Sequence, residues 1–305
     1  MPVFGLSIPT AVPDVQPDTA IQFARRAEEA GAGALWTLDR LVFDNHQPLI
    51  DLAAAAALTT RMQLGTAVLL GTLWPPALLA KAVATLDQLS GGRVILGLGV
   101  GSREDDFAAA EAPYADRGRR LEELVEVLKL VWSGQPVKYA GKSYKLDVGA
   151  IGPRPIQRPH PPLWFGGSAE RALRRAARLG DGYIPGSAGG AEGFKAVRQK
   201  VRQFAEEAGR DPNTMRFGAQ VTICVDDDRA EAIRLTERRF DYYYPGGRGN
   251  RVAGAALGPA DECLRVIDEY VQAGADHIIL SSVTAELRYV DRLCEQVLPK
   301  LLAGR

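Results

Sequence analysis

The sequence predicts a (β/α)8 TIM barrel spanning residues 1–305, with insertions at the C-terminal mouth, and three observations predict it. Eight apolar, strand-like runs are each followed by a helical pattern. Three junctions repeat one theme: Glu29-Ala30-Gly31-Ala32-Gly33, Arg178-Leu179-Gly180-Asp181-Gly182 and Gln272-Ala273-Gly274-Ala275-Asp276. Each ends a helix on glycine and passes straight into an apolar strand, as the short αβ loops of parallel βαβ units do. The alternation is broken only by three long loops, which in a compact barrel shape the mouth. A doubly wound open sheet is the alternative that the same alternation allows.

Strands are expected at Val3–Ile8, Ala34–Asp39, Met62–Leu70, Arg93–Gly99, Pro162–Gly166, Gly182–Pro185, Met215–Val225 and His277–Ser281. Asp18 is placed to cap the first helix, which runs through Ile21, Phe23, Ala24 and Ala27 and stops at Gly31. An alanine-rich helix follows at 49–60. Helix 119–132 puts Leu121, Leu124, Leu128 and Val131 on one face and Glu122, Glu126 and Lys129 off it. Ser168 is expected to open a helix over 168–179. The long loops are a polar stretch at 102–117, a Pro/Gly-rich excursion at 133–161 and residues 241–258.

Composition bounds the function. Hydrophobic residues make up 46% and charged residues 24%, ordinary for a globular chain. Lys+Arg and Asp+Glu balance at 37 each, so no basic field favours nucleic acid or an anionic membrane as a partner. No apolar run is long enough to span a bilayer, and the start lacks a secretory pattern. A cytoplasmic protein is expected. Cys224, Cys263 and Cys294 are odd in number and far apart, against a disulfide framework or a C-x-x-C site. His46, His160 and His277 show no metal-ligand spacing, so no metal site is expected.

The chemistry-bearing segments are glycine exits. The strand Arg93-Val94-Ile95-Leu96 runs into Gly97, Gly99 and Gly101, whose spacing strips one strand face of side chains. Bare backbone serves either a flat ring or phosphate that must come close, or a crowded barrel interior. The spacing is G-x-G-x-G, not the G-x-G-x-x-G of dinucleotide folds. At Leu163-Trp164-Phe165-Gly166-Gly167-Ser168 a strand ends on two glycines before a helix. This reads either as an anion site of free N–H groups or as a plain turn with a serine cap. A second such exit, Gly182-Tyr183-Ile184-Pro185-Gly186, follows on the next strand. No strand run carries a lysine for Schiff-base chemistry, and no G-x-S-x-G appears. What remains suits a bound cofactor that performs the difficult step.

These segments, taken in order, resemble the luciferase-like monooxygenase superfamily, whose members use flavin or coenzyme F420. The resemblance rests on Ala27-Glu28-Glu29-Ala30-Gly31, Leu64-Gly65-Thr66-Ala67-Val68, Asp87-Gln88-Leu89-Ser90-Gly91-Gly92-Arg93, Leu96-Gly97-Leu98-Gly99-Val100-Gly101, Arg117-Gly118-Arg119-Arg120-Leu121 and Pro162 through Ser168. It covers residues 20–190 most strongly. It implies a cofactor ring over the third strand, backed by a non-prolyl cis peptide at Ala67-Val68. It also implies a cofactor phosphate among backbone groups of Val100, Gly101, Gly166, Gly167 and Ser168, with Gly186 on the adjoining exit.

Two departures from the family pattern stand out. Relatives often carry Asp-His or Glu-His where this chain has Asp39-Arg40, and Arg-His-Pro where it has Leu73-Trp74-Pro75-Pro76. An arginine cannot cycle a proton at neutral pH. Asp39 is expected to face the cavity as the catalytic group. Arg40 is expected to set its charge or hold an anion, or else to form a surface ion pair with Asp44. The resemblance implies an F420-dependent hydride transfer to or from a small organic substrate. The alternatives are an FMN-dependent monooxygenase fed by a separate flavin reductase, and a catalytically silent flavin-binding protein. A homodimer is expected, with helix 49–60 either at the interface or in the core. Tyr242-Tyr243-Tyr244 are expected to form part of a substrate lid or to pack on the barrel wall.

Overall fold

The computed structural model describes residues 2–186, 189–246 and 252–304. Its elements in chain order are β1 (Val3–Ser7), α1 (Thr19–Glu29), β2 (Ala34–Thr37), α2 (Pro48–Leu58), β3 (Gln63–Thr66), α3 (Pro76–Leu89), β4 (Val94–Leu98), α4 (Glu104–Ala109), α5 (Arg117–Trp132), β5 (Val137–Ala140) and β6 (Lys145–Val148). There follow β7 (Leu163–Gly166), α6 (Glu170–Leu179), β8 (Gly182–Ile184), α7 (Gly190–Glu207), β9 (Arg216–Val225), α8 (Arg229–Tyr243), β10 (Ala256–Gly258), α9 (Ala260–Gln272), β11 (His277–Ser282), α10 (Leu287–Arg292) and α11 (Leu298–Ala303).

The eight parallel strands β1-β2-β3-β4-β7-β8-β9-β11 close into a TIM barrel, with β9 pairing to both β8 and β11 and β11 returning to β1. β10 adds to the upper half of β9, from Ile223 to Val225. All eight expected strands are present. Buried parallel strands read as apolar runs because helices cover their outer face while the barrel fills their inner one. The outer face is the larger core: Leu6, Leu35, Leu64, Leu96, Phe165, Phe217 and Ile278 pack against the helices.

The inner face holds Ala34, Trp36, Ile95, Trp164, Ile184 and Ile279. Two indoles fill its middle, their centroids 5.6 Å apart, with the His277 ring edge-on at 4.8 Å from Trp164 and 5.9 Å from Trp36. Glycines make the room. A Cβ on Gly65 would lie 2.3 Å from the Trp36 ring, and one on Gly182 would lie 2.5 Å from that of Trp164. Both indoles are nearly fully buried, so the barrel is a packed core and not a pore.

Several local expectations are corrected. Asp18 precedes α1, but its carboxylate takes the Gln22 side-chain amide and no helix N–H. Its backbone is already close to helical, which turns the side chain outward. β2 stops at Thr37 and β3 at Thr66, short of Asp39 and Leu70. The region read as a polar loop contains α4. The excursion at 133–161 contains the antiparallel hairpin β5–β6, whose residues are mostly exposed. The helix expected at 168–179 begins at Glu170 with Ala169 as its cap residue, and Ser168 is exposed without a capping bond. Residues 247–251 of the third loop and Ser187 lie outside the described residues.

Candidate active site at the barrel mouth

The chain leaves β3 through a cis peptide between Ala67 and Val68. Three bonds hold the segment beyond it. Ala67 N–H donates to Thr37 O (2.7 Å), Leu69 N–H to Gly97 O (2.8 Å) and Leu70 N–H to Asp39 Oδ2 (2.9 Å). Ala67 and Val68 are half-buried at the top of the barrel.

The glycine stripe of β4 serves this segment. A Cβ on Gly97 would lie 1.9 Å from Thr66 O, one on Gly99 2.6 Å from Val68 Cγ2, and one on Gly166 3.0 Å from Val68 Cγ1. The crowded-interior reading therefore holds at Gly97 and Gly99, whose missing side chains admit the protein's own backbone and Val68. Gly101 does not share their face. Its φ of +75° turns it toward Phe107, 2.8 Å from where a Cβ would stand.

The exits of β4, β7 and β8 are neighbours on the rim, because β7 pairs with both β4 and β8. Val100, Gly101, Gly166, Gly167, Ser168 and Gly186 thus lie on neighbouring exits, and Gly166 among them faces Val68. Gly167, Ser168 and Gly186 are exposed. Among the described residues no hydrogen bond engages the N–H groups of Gly101, Gly167 or Ser168. Tyr183 Oη donates to Gly167 O at 2.6 Å and fixes that turn from below. Arg117 Nε donates to Gly101 O, and Thr72 Oγ1 to Val100 O. Carbonyls on this part of the rim are thus tied back while N–H groups stay free, a pattern that favours an anion.

Asp39 and Arg40 part company. Burial pushes the Asp39 carboxyl up to about 6; the Leu70 N–H opposes that rise, and the nearby Asp106 carboxylate adds to it. Its Oδ2 steadies the segment after the cis bond, and Oδ1 carries no hydrogen bond among the described residues. Arg40 is buried. Its Nε donates to Asp106 Oδ2 at 3.0 Å and its Nη2 to Val42 O at 3.0 Å. The expected surface pair with Asp44 is replaced by this buried one, because α4 carries Asp106 under the loop. Asp106 Oδ1 also accepts the N–H groups of Leu41 and Val42.

The tyrosines at the end of α8 reach the same rim. The Phe43 ring meets those of Tyr242 and Tyr243 edge-on at 5.1 and 5.2 Å. Arg103 donates to Tyr243 O at 2.9 Å and lies over the Tyr243 and Tyr244 rings. The tyrosines are thereby tied to the second and fourth βα loops, while the later part of the same segment joins the barrel wall through β10 and the Tyr270 Oη bond to Gly254 O.

The sequence profile of the luciferase-like monooxygenase family matches residues 3–248. This chain belongs to that family. Among curated members, the F420-dependent glucose-6-phosphate dehydrogenase of Amycolatopsis mediterranei is 28% identical, the match covering 94% of this chain and 95% of the relative. The FMNH2-dependent dimethylsulfone monooxygenase of Pseudomonas putida is 31% identical over 62% of this chain and 52% of the relative. Among solved structures, the monooxygenase RslO1 from Streptomyces bottropensis superposes with a TM-score of 0.85 at 25% identity, covering 99% of this chain and all of the other. The chain is accordingly a luciferase-like oxidoreductase of a family that employs a flavin or a deazaflavin.

One polar pair of this luciferase-like mouth escaped the sequence reading. His46 and Asp51 face each other across the start of α2, with Nδ1 and Oδ1 3.0 Å apart. Their i, i+5 spacing straddles a loop and a helix and matches no motif.

Proposed function

We propose that the chain is an oxidoreductase that uses coenzyme F420 to carry hydride to or from a small organic substrate. The observation that carries this reading is the bare rim, where among the described residues the N–H groups of Gly101, Gly167 and Ser168 are unpartnered on exits next to that of the half-buried Ala67–Val68 peptide. Such groups suit a phosphate, and a backbone-lined strand end suits a flat ring. Gly101, Gly166, Gly167, Ser168 and Gly186, with Val100 beside them, would hold the phosphate, and Ala67 and Val68 would back the ring. The bound deazaflavin supplies the hydride chemistry. The protein's part is to orient the reactants and keep Asp39 against Leu70 so that the backing segment stays in place. Span supports F420 over FMN: the F420-dependent relative matches 94% of this chain, the FMNH2-dependent one 62%.

A second reading, an FMN-dependent monooxygenase supplied by a separate flavin reductase, is favoured by the likeness to RslO1. Absorbance titrations of the purified protein with F420 and with FMN separate the two. The first reading expects F420 to bind at least about tenfold more tightly, a difference of about 1.4 kcal/mol. The opposite order moves the assignment to FMN, and binding of neither overturns both. Ser168→Asp places a carboxylate on an exposed rim position without touching the core, and it weakens the preferred cofactor while leaving Tm unchanged. A cytoplasmic homodimer completes the reading, supported by exposed Ile50 and Leu78 on the adjacent helices α2 and α3. Light scattering that returns a monomer removes that part.

A further inference from the structure

His46 stands two residues before α2, and Asp51 lies in that helix's first turn. Asp51 is 6% exposed and, among the described residues, its carboxylate's hydrogen bond is to the His46 ring while Oδ2 has none. Burial raises the Asp51 carboxyl and His46 draws it back down. A carboxylate on Nδ1 makes that nitrogen the donor and leaves Nε2 an acceptor. The His46 side chain is 32% exposed, and Nε2 has no bond among the described residues.

The ring lines a cavity of about 250 Å³ between the first and second βα loops. Val12, Pro13, Val15 and Pro17 form one wall with Gln16, and Asp44 and Asn45 flank His46 on the other. The first loop brings no charge to it, so Asp44 and Asp51 are the charged groups facing the imidazole. Asn45 Oδ1 is a second unpartnered acceptor there. The volume is below that of ordinary cofactor pockets and suits a group of a few heavy atoms. The cavity sits over β1 and β2, one strand along the rim from Ala67–Val68. Arg40, the neighbouring cation, is tied to Asp106.

We propose that His46, aligned by Asp51, is the acid–base residue of this site and that the cavity takes the hydroxyl- or carbonyl-bearing end of the substrate. In the oxidising direction the hydroxyl proton passes to His46 Nε2. A bound deazaflavin would supply the acceptor for the carbon-bound hydrogen as hydride, and the electron pair of the O–H bond would close the carbonyl. Reduction runs the same transfers backward. The assignment rests on the F420 reading.

Its test is carbethoxylation by diethylpyrocarbonate, mapped by mass on the three histidines. His277 is buried and stays unmodified, and His160, which precedes β7 at the other end of the barrel, is the reference. His46 reacts in the free protein. With F420 bound the cavity stays open and His46 still reacts; propan-2-ol added at about ten times its dissociation constant then lowers the His46 rate about tenfold, while that of His160 is unchanged. Asp51→Asn slows His46 in the free protein, because Nε2 then carries the proton more of the time. F420 that binds by absorbance, with a His46 rate that neither propan-2-ol nor acetone lowers, overturns the proposal and spares the cofactor reading. An unreactive His46 in the free protein also overturns it. If F420 fails to bind, the cofactor reading falls and the acid–base role falls with it.

Discussion

Val68 occupies the space that Gly99 leaves empty: a Cβ on Gly99 would stand 2.6 Å from Val68 Cγ2. The second residue of the cis peptide and the glycine at the exit of the adjoining strand are therefore one packing unit. Gly99 has an ordinary backbone conformation, so only this contact opposes a side chain there. Gly99→Ala is expected to cost about 1–3 kcal/mol by overpacking, and Val68→Ala to cost about 1.5 kcal/mol for two lost methyl groups. The double variant recovers at least about 1 kcal/mol of the sum. Urea unfolding of the four proteins measures this coupling, and strict additivity would refute the pairing.

Asp39 makes stability depend on pH with a definite sign. Its folded-state carboxyl is raised from 3.8 to about 6, so between those values the native state holds more protons than the unfolded state. Stability then falls as pH rises through that window and stays lower above it. Asp39→Asn keeps an acceptor for Leu70 N–H and removes the buried charge. The variant is expected to be more stable than the parent at pH 8, by up to roughly 3 kcal/mol, with the difference gone near pH 4. Melting curves across pH decide it.

The Arg40–Asp106 pair is the structural tie of the second βα loop. Removing either partner strands the other charge in a buried site, at a cost of about 3–5 kcal/mol. Arg40→Met and Asp106→Asn should each lower Tm, and their combination should lower it by less than the sum. Hydrogen exchange at Leu41 and Val42, whose N–H groups rest on Asp106, should accelerate in both. Unchanged exchange in a destabilised Asp106→Asn would show that the tie does not organise the loop.

His277 supplies the acid limit of the fold. Burial between Trp36 and Trp164 lowers it from 6.5 to about 4, so the unfolded chain binds the proton first as pH falls. Stability is full above pH 6.5 and declines toward pH 4. His277→Phe keeps the edge-on packing, and its Tm should lack this contribution. A ¹⁵N-histidine spectrum that shows His277 protonated at pH 6 in the folded protein would contradict the assignment.

The barrel was legible because its strands are buried on both faces and its αβ junctions carry glycine at fixed places. The rim was legible in part. Gly166-Gly167-Ser168 stood out as a bare exit, but the helix start shifted by two residues because Ala169, not Ser168, takes the cap position. The β5–β6 hairpin was missed because it is too exposed to leave an apolar run. Asp106 lies 66 residues from Arg40 and meets it only because α4 folds under the loop. His46 and Asp51 are close in sequence, yet nothing in their spacing announces a contact until α2 begins at Pro48.

The two indoles at the centre of the barrel also govern traffic. With Trp36 and Trp164 filling the interior, no passage runs down through the barrel among the described residues, so whatever binds deepest is expected to arrive first and leave last. A tricyclic cofactor against Ala67–Val68 and a small substrate above it would share one doorway. Steady-state kinetics should therefore show compulsory order, with the cofactor entering before the substrate and the product departing before the cofactor.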